Sequence, residues 1–269
     1  MSSVLAGLVL SGLIPLGVAF WASRQTSLAH ALIWAMLAWL SWAAAIWVDD
    51  SDSAALPPAR YLALCMTGCA GVAVLGARRP HVVAWDFVVI SLLAVMLLPL
   101  AEAQLLGTHS TEGLRVLFLA GTIVVGVLNY LPTRLGPAAF VLTVGIAIEI
   151  SRLAAPAWAP GRETYWLVVG TQAAAPWIAW LCWRLRPAEK AEFDRLWLDF
   201  RDAWGMVWSQ RAREQFNHAA ENAGWPVTLS WRGLRPSDGE EDRIAANEEK
   251  YLVTLRAILQ RFLAADQNL

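Results

Sequence analysis

The residues best placed to do chemistry are the few ionisable and amide side chains inside otherwise apolar segments. Glu149 and Arg152 are three residues apart, so in a helix they lie on one face and can form an ion pair. Gln172 stands well inside an apolar run, whereas Glu102 and Asn129 stand near the ends of two others. Polar groups in such segments are costly and mark substrate or ion paths by default. We expect a structural salt bridge for Glu149 and Arg152 because both stand close to a segment end, where they can reach the interface.

None of the other reactive groups forms a metal- or cofactor-binding pattern. Cys65 and Cys69 could ligate a metal from one helix face, but no histidine or third cysteine stands nearby, so helix packing is favoured. The acidic residues 49, 50 and 52 resemble a cation site only superficially, and we expect a solvated loop there. The four histidines are too scattered for a transmembrane haem. The sequence therefore predicts neither a metal nor a cofactor.

Seven apolar runs position these residues, and each is about as long as a bilayer is thick. A helix needs about 20 mostly apolar residues to cross the hydrocarbon core, because its backbone groups must be satisfied within the segment. The sequence predicts an all-α, polytopic membrane bundle over residues 1–186, followed by a cytoplasmic helical tail over 187–269. The predicted spans lie near residues 4–21, 28–48, 61–77, 85–101, 114–131, 137–154 and 165–183.

Composition supports a membrane protein independently of the segments. Apolar residues make up 57% of the chain and charged residues only 16%, and the mean hydropathy is +0.46. This composition is too apolar for a protein whose whole surface faces water. Arginine greatly outnumbers lysine, and alanine and tryptophan are abundant, which is typical of a GC-rich bacterial genome. We therefore expect the bacterial inner membrane.

Basic residues near the spans predict the orientation, because short cytoplasmic loops carry an excess of Lys and Arg. With the amino terminus outside and the carboxyl terminus in the cytoplasm, four arginines face out: Arg60, Arg115, Arg152 and Arg162. The cytoplasmic side then holds Arg24, Arg78, Arg79, Arg134, Arg184, Arg186, Lys190, Arg195 and Arg201. The bias depends on the tail, since the short loops alone are tied.

Small residues and tryptophans indicate how the spans pack. The run 61–77 carries Cys65, Cys69, Ala73 and Ala77 at four-residue spacing, which allows another helix to approach closely. We therefore place this run at the centre of the bundle. The deeper tryptophans include Trp34, Trp39, Trp42, Trp177 and Trp180, for which lipid contact or helix packing is favoured over a ligand-binding aromatic box.

The tail is predicted to contain two amphipathic helices. From Ala188 to about Ala223 the apolar residues follow helical spacing, and Ser237 to Glu240 has the form of a capping box that opens a second helix. Residues 227–231 alternate weakly, as in one short strand. The first helix presents an aromatic face made of Phe193, Trp197, Phe200, Trp204 and Trp208. Its polar side is mixed in sign, so membrane-surface binding and packing on the tail remain equal alternatives.

Function is the least determined property. The sequence favours a non-enzymatic interaction, assembly or signal-relay subunit that acts through the aromatic face, with membrane lipid and a protein as partners. The alternative is a small-solute or lipid transporter with a mid-membrane site lined by tryptophans and Gln172, and a membrane enzyme ranks third. The tail holds basic and acidic residues in nearly equal number, so it offers no electrostatic footprint for nucleic acid.

Overall fold

The structure is a computed structural model that describes residues 2–48, 58–77, 82–106, 113–155, 162–185, 191–236 and 241–262. Helices account for 86% of these residues. The helices are α1 (Ser2–Leu10), α2 (Leu13–Ser23), α3 (Leu28–Val48), α4 (Pro58–Leu75), α5 (Val82–Leu106), α6 (Gly113–Tyr130), α7 (Gly136–Ala154), α8 (Arg162–Arg184), α9 (Glu192–Asn222) and α10 (Glu241–Leu259). Strands β1 (Val227–Ser230) and β2 (Gly233–Pro236) lie between α9 and α10, and a 3-10 turn (Gln260–Phe262) follows α10.

Six of the described helical segments are long and apolar enough to cross a membrane. They are Ser2–Ser23, Leu28–Val48, Pro58–Leu75, Ala84–Leu105, Gly113–Tyr130 and Gly136–Ala154. Each coincides with one of the first six predicted spans. The seventh predicted span lies in α8, which has 23 residues but is not among the six, because Gln172 and several tryptophans make it less apolar.

The first crossing is a broken helix. Its two halves, α1 and α2, are separated by Ser11 and Gly12. Pro15 follows, and a proline has no N–H to donate to the carbonyl four residues earlier, here that of Ser11. The Ser11 carbonyl instead accepts from the Ile14 N–H at 3.1 Å, a tighter turn than in an α-helix. The break therefore falls near the middle of this crossing.

The helices pack in a closed ring. In order around it, α3 packs on α4, α4 on α6, α6 on α7 and α7 on α8, and the α1–α2 segment packs on both α8 and α3. Helix α5 packs mainly on α4, and only 11% of its apolar stretch is buried, compared with 56% for α4. The prediction that the run 61–77 is central is confirmed.

Small residues bring α4 and α6 into backbone contact. A Cβ on Gly71 would lie 2.9 Å from the Cα of Gly126, and a Cβ on Gly126 would lie 2.7 Å from the Cα of Gly71. Neither position can hold a larger residue without moving a helix. The Cys65 and Cys69 thiols face α5 instead, where each lies 3.8 Å from a carbonyl oxygen, of Met96 and Val89 respectively.

The tail is a small α/β unit rather than a purely helical hairpin. Residues 227–231 were expected to form one weak strand, but β1 pairs antiparallel with a second strand, β2, from Val227 opposite Pro236 to Ser230 opposite Gly233. Asn217 of α9 fixes this hairpin, because its side chain accepts from the Leu229 N–H at 2.6 Å and donates to the Leu229 carbonyl at 3.1 Å. Helix α10 packs on α9. The predicted capping box lies outside the described residues.

Candidate functional site

The tail is joined to the bundle by the side chain of Asn129, in the last turn of α6. Helix α9 is interrupted at Gly205, whose φ of 78° and ψ of −170° are not helical. Asn129 Nδ2 donates to the Trp204 carbonyl at 3.3 Å, and Asn129 Oδ1 accepts from the Val207 N–H at 2.9 Å. The carboxamide thus satisfies two backbone groups beside the break, in the way that another peptide group would. We call this arrangement the Asn129 clamp.

Glycine is required at the break for two reasons. Residues that carry a side chain rarely adopt a backbone φ of 78°, the value at Gly205. In addition, a Cβ at position 205 would lie only 2.7 Å from the backbone oxygen of Asn129. The clamp therefore depends on both residues, and Asn129 is only 1% exposed within it.

The turn between α6 and α7 makes further contacts with the tail. The Tyr130 hydroxyl donates to the Ala203 carbonyl at 3.1 Å. The indole N–H of Trp231, in the turn between β1 and β2, donates to the Pro132 carbonyl at 2.9 Å. Both α9 and the β-hairpin thus hold this turn.

A buried carboxylate extends the same contact. Asp202 is 1% exposed and accepts from the backbone N–H of Arg134 at 3.1 Å. The Arg201 guanidinium donates to Asp202 at 2.7 Å and to the Trp231 carbonyl at 2.9 Å. The pair is charge-assisted and also bonded to the backbone, as a buried ion pair requires.

Two tryptophans of α9 donate hydrogen bonds to backbone carbonyls at the carboxyl-terminal end of α4. The Trp204 indole N–H lies 3.2 Å from the Ala77 carbonyl and 3.4 Å from the Ser27 hydroxyl oxygen. The Trp208 indole N–H donates to the Val74 carbonyl at 3.2 Å. The last carbonyls of a helix lack the usual partner four residues later. The Val74 carbonyl accepts from the Ala77 N–H at 3.0 Å, so Trp208 supplies it with a second donor. We call this end of the bundle, where α2, α4 and α6 end, the tail end.

The aromatic face is covered by the chain itself. Phe193, Trp197, Phe200, Trp204 and Trp208 are all buried, at 6% exposure or less. Phe200 stacks on Trp204 with ring centroids 4.9 Å apart, and Phe262 packs edge-on against Phe200 at 5.0 Å and Trp208 at 5.2 Å. Of the two alternatives for this face, the contacts correspond to packing on the tail, with the ends of the bundle helices as a further surface.

The opposite end of the bundle, which we call the far end, is closed by buried charges. Arg60, in the first turn of α4, donates to Glu149 of α7 at 2.6 Å, and their side chains are 2% and 0% exposed. The expected pair of Glu149 and Arg152 is present but longer, at 3.6 Å. The Arg60 guanidinium also lies over the ring of Tyr165 in α8, at 4.9 Å. Three helices of the ring therefore meet at Arg60.

Glu102 takes part in a separate, more exposed pair. Arg115 of α6 donates to both of its carboxylate oxygens, the second at 3.2 Å. Glu102 and Arg115 are 38% and 31% exposed in their side chains, so water and lipid headgroups screen this pair.

Near the middle of the bundle, Gln172 is fully buried between α7 and α8. It is 0% exposed, and its Nε2 lies 3.4 Å from where a Cβ on Gly145 would stand. Neither Gln172 Nε2 nor Gln172 Oε1 has a hydrogen-bond partner among the described residues, and the same holds for Trp39 Nε1. Trp42, in contrast, donates to the Thr67 hydroxyl at 2.9 Å.

An apolar groove on the described surface lies between α6 and α7. It encloses about 300 Å³ and is lined by Gly113, Val116, Leu117, Ala120 and Ala154. Within the described ranges, no group of three or more His, Cys, Asp or Glu side chains could hold a metal ion. Asp49, Asp50 and Asp52 lie outside those ranges.

No protein-family model, no curated protein and no solved structure matches this chain.

Sequence analysis missed the partners that make these contacts. Arg60 was counted only as a loop charge, although an arginine at the start of an apolar run already indicates a buried pair. Gly205 was overlooked inside the amphipathic pattern, where an isolated glycine signals a possible interruption. Asn129 was expected only as a polar group near the end of an apolar run, since nothing local indicates that its amide bonds to a helix 75 residues later.

Proposed function

We propose that the chain is a non-enzymatic, seven-span membrane protein that relays the packing state of its bundle to a docked cytoplasmic tail. The observation that carries this proposal is the Asn129 clamp, because it ties a broken tail helix to the end of a membrane helix through backbone groups. A partner of the relay is a protein that recognises the exposed, mixed-charge surface of the tail, while lipid surrounds the bundle.

The seventh span of this proposal is α8. Tyr165, near its start, contacts Arg60 at the far end, and the chain resumes after Arg184 at the tail end. About 20 helical residues cover the thickness of a bilayer, and α8 has 23. With seven crossings, the amino terminus and the tail lie on opposite sides. The basic residues around Arg24, Arg134 and Arg184 then favour the cytoplasm of a bacterial cell as the side of the tail in this proposal.

The two ends of the bundle are connected through the same helices, which supports a relay. Helix α4 holds Arg60 at the far end and accepts from Trp204 and Trp208 at the tail end. Helix α7 holds Glu149 at the far end, and the turn before it accepts from Trp231 at the tail end. A displacement of α4 relative to α7 at one end therefore also moves these helices at the other end, since packed helices move as rigid elements.

The aromatic face acts within the chain in this proposal. Because its side chains pack on the tail and on the bundle, a partner meets the opposite, charged side of α9 and the exposed side of α10. The face keeps the role expected from the sequence, to transmit a signal, but its immediate receiver is the tail.

The second candidate function is a small-solute or lipid transporter, and the buried, unpartnered amide of Gln172 favours it. Transport would require the far end and the tail end to open in turn around that residue. The full burial of Gln172 and the many bonds at the tail end support the relay more directly.

The experiment that tests the relay changes one end and measures the other. We expect Glu149→Gln, in the full chain in lipid nanodiscs, to raise amide hydrogen exchange several-fold in peptides covering 196–210. The matched control is Glu102→Gln, which removes a carboxylate of the same kind from the more exposed pair between α5 and α6. Exchange in the tail that is equal in the two variants, at equal global stability, would contradict the relay.

A further inference from the structure

We infer that the interior around Gln172 of α8, which borders Gly145 of α7 and lies one turn from the contact of Pro176 with the α1–α2 break, is a binding site for a small, neutral molecule that carries both a hydrogen-bond donor and an acceptor. This goes beyond the proposed relay and uses none of the residues of the Asn129 clamp.

The first argument is that the break between α1 and α2 meets a proline inside α8. A Cβ on Gly12, in that break, would lie 2.9 Å from the Cγ of Pro176, whose missing N–H leaves one carbonyl of α8 without its helical partner. The Trp177 indole N–H donates to the Ser11 hydroxyl at 3.1 Å. In membrane proteins, proline- or glycine-interrupted helices that meet near the midplane mark substrate sites, because their backbone groups are not all used within the helix.

The second argument is a set of polar groups that the protein does not satisfy. Gln172 lies one turn before Pro176 on the same side of α8, and both ends of its carboxamide are without a partner among the described residues. Pro176 also has no N–H to donate to the Gln172 carbonyl. Trp39 Nε1, likewise unpartnered, lies 2.6 Å from where a Cβ on Gly12 would stand.

Leaving these groups unpaired in a membrane interior is expensive. A buried donor or acceptor without a partner gives up its hydrogen bonds to water and gains none in return. Gln172 of α8 and Trp39 of α3 contribute three such atoms. A molecule that accepts from the Trp39 N–H and exchanges two hydrogen bonds with the Gln172 amide would satisfy all three.

The same surroundings define the charge of the ligand. The buried ionised side chains described in the ring helices are Arg60 and Glu149, and they are already paired with each other at the far end. An ion bound beside Gln172 would therefore lie in a hydrocarbon-like interior without a free counter-ion, which is unfavourable. The indoles and Pro176 supply apolar walls, so the ligand is an amide- or alcohol-like molecule with an apolar body.

Cysteine accessibility tests the site without knowledge of the natural ligand. In a full-length background with Cys65, Cys69 and Cys182 replaced by alanine, Gln172→Cys is treated with the neutral reagent methyl methanethiosulfonate. The control is Gly170→Cys, two residues away on the exposed side of α8, where no heavy atom lies within 4 Å of the new Cβ. We expect Gln172→Cys to react about tenfold faster, because thiolate formation requires a polar, water-reachable surrounding. Equal rates would overturn the inference, as would equally fast reaction with the cationic trimethylammonioethyl or anionic sulfonatoethyl analogue.

A second measurement identifies the chemical class and does not depend on the cysteine background. The melting temperature is measured in the presence of benzamide. Separate samples contain its cationic analogue benzamidine, its anionic analogue benzoate or toluene, which forms no hydrogen bonds. Of the four compounds, only benzamide should raise the melting temperature of the wild type. It should do the same for Gln104→Leu, a control on the exposed face of α5, and should leave the melting temperature of Gln172→Leu unchanged. A benzamide shift that survives in Gln172→Leu, no benzamide shift in the wild type, or a shift that toluene matches, would overturn the inference.

Discussion

The two ends of the helix bundle are closed by different chemistry. At the far end, one buried ion pair, Arg60 with Glu149, brings α4, α7 and α8 together. At the tail end, the buried pair of Arg201 and Asp202 is joined by several neutral hydrogen bonds to backbone groups, from Asn129, Trp204 and Trp208. A buried ion pair is strongly damaged by the loss of either partner, whereas separate neutral bonds can be lost one at a time. The neutral contacts of the tail end are therefore the part of the closure that can change in steps.

The largest effect is expected when the far end loses its cation. Arg60→Met keeps a long apolar side chain but removes the 2.6 Å ion pair of the buried Glu149 carboxylate. We expect a loss of about 3–5 kcal/mol in the free energy of unfolding, measured by denaturant unfolding in mixed micelles. Arg115→Met, in the exposed pair with Glu102, should cost less than about 1 kcal/mol. Equal losses would show that the far end does not depend on the buried pair.

Gly205→Ala should produce the next largest effect, at the tail end. The substitution places a side chain at a φ of 78° and brings a Cβ against Asn129. We expect the docked tail to be less stable by about 2–3 kcal/mol. This should appear as new protease cleavage where α9 contacts the α6–α7 turn. Gly224→Ala is the control, because Gly224 also has a positive φ, of 64°, but no atom lies within 4 Å of its Cβ position. The Gly224→Ala variant should leave the docked tail as resistant to the protease as the wild type.

Removing the clamp itself should have a smaller effect, because Gly205 can still adopt its conformation. Asn129→Leu leaves the Trp204 carbonyl and the Val207 N–H without their partner, at a cost of about 1–3 kcal/mol. Asn129→Asp keeps an acceptor for Val207 but loses the donor to Trp204. Tail proteolysis should be faster in both variants than in the wild type, and unchanged proteolysis would mean that these bonds contribute nothing to docking.

The smallest effect is expected for one indole. Trp208→Phe keeps an aromatic ring against Phe262 but loses the hydrogen bond to the Val74 carbonyl. A single neutral hydrogen bond contributes about 1 kcal/mol, so the melting temperature should fall by a few degrees. Trp166→Phe, at a 41% exposed position on α8, is the control and should leave it unchanged.

The positions of the helices were predictable, but the contacts between distant elements were not. Apolar length located six helices that are able to cross a membrane, and the small residues of the run 61–77 identified the most buried of them, because both properties are local in sequence. The pairing of Arg60 with Glu149 joins residues 89 positions apart, and the clamp joins Asn129 to residues 75 and 78 positions later. Such pairings depend on the order of helices around the ring, which a periodic pattern in one segment does not encode.

The strand pair shows the same limit on a smaller scale. Residues 227–231 alternate weakly because Val227 and Leu229 face the core. In β2 the sequence Gly-Leu-Arg-Pro carries almost no alternation, and its position is fixed by Asp194 of α9, which accepts from the Leu234 N–H at 2.9 Å. A contact from another element therefore determines a strand that its own residues barely indicate.

The central claim is that the tail docks on the bundle through the Asn129 clamp, and hydrogen exchange at the Val207 amide tests it most directly. In the full-length protein in lipid nanodiscs, this amide should exchange as slowly as the buried amides of α4, and Asn129→Leu should accelerate it selectively. Exchange as fast as at the exposed end of α9 near Asn222, with no response to Asn129→Leu, would contradict the account.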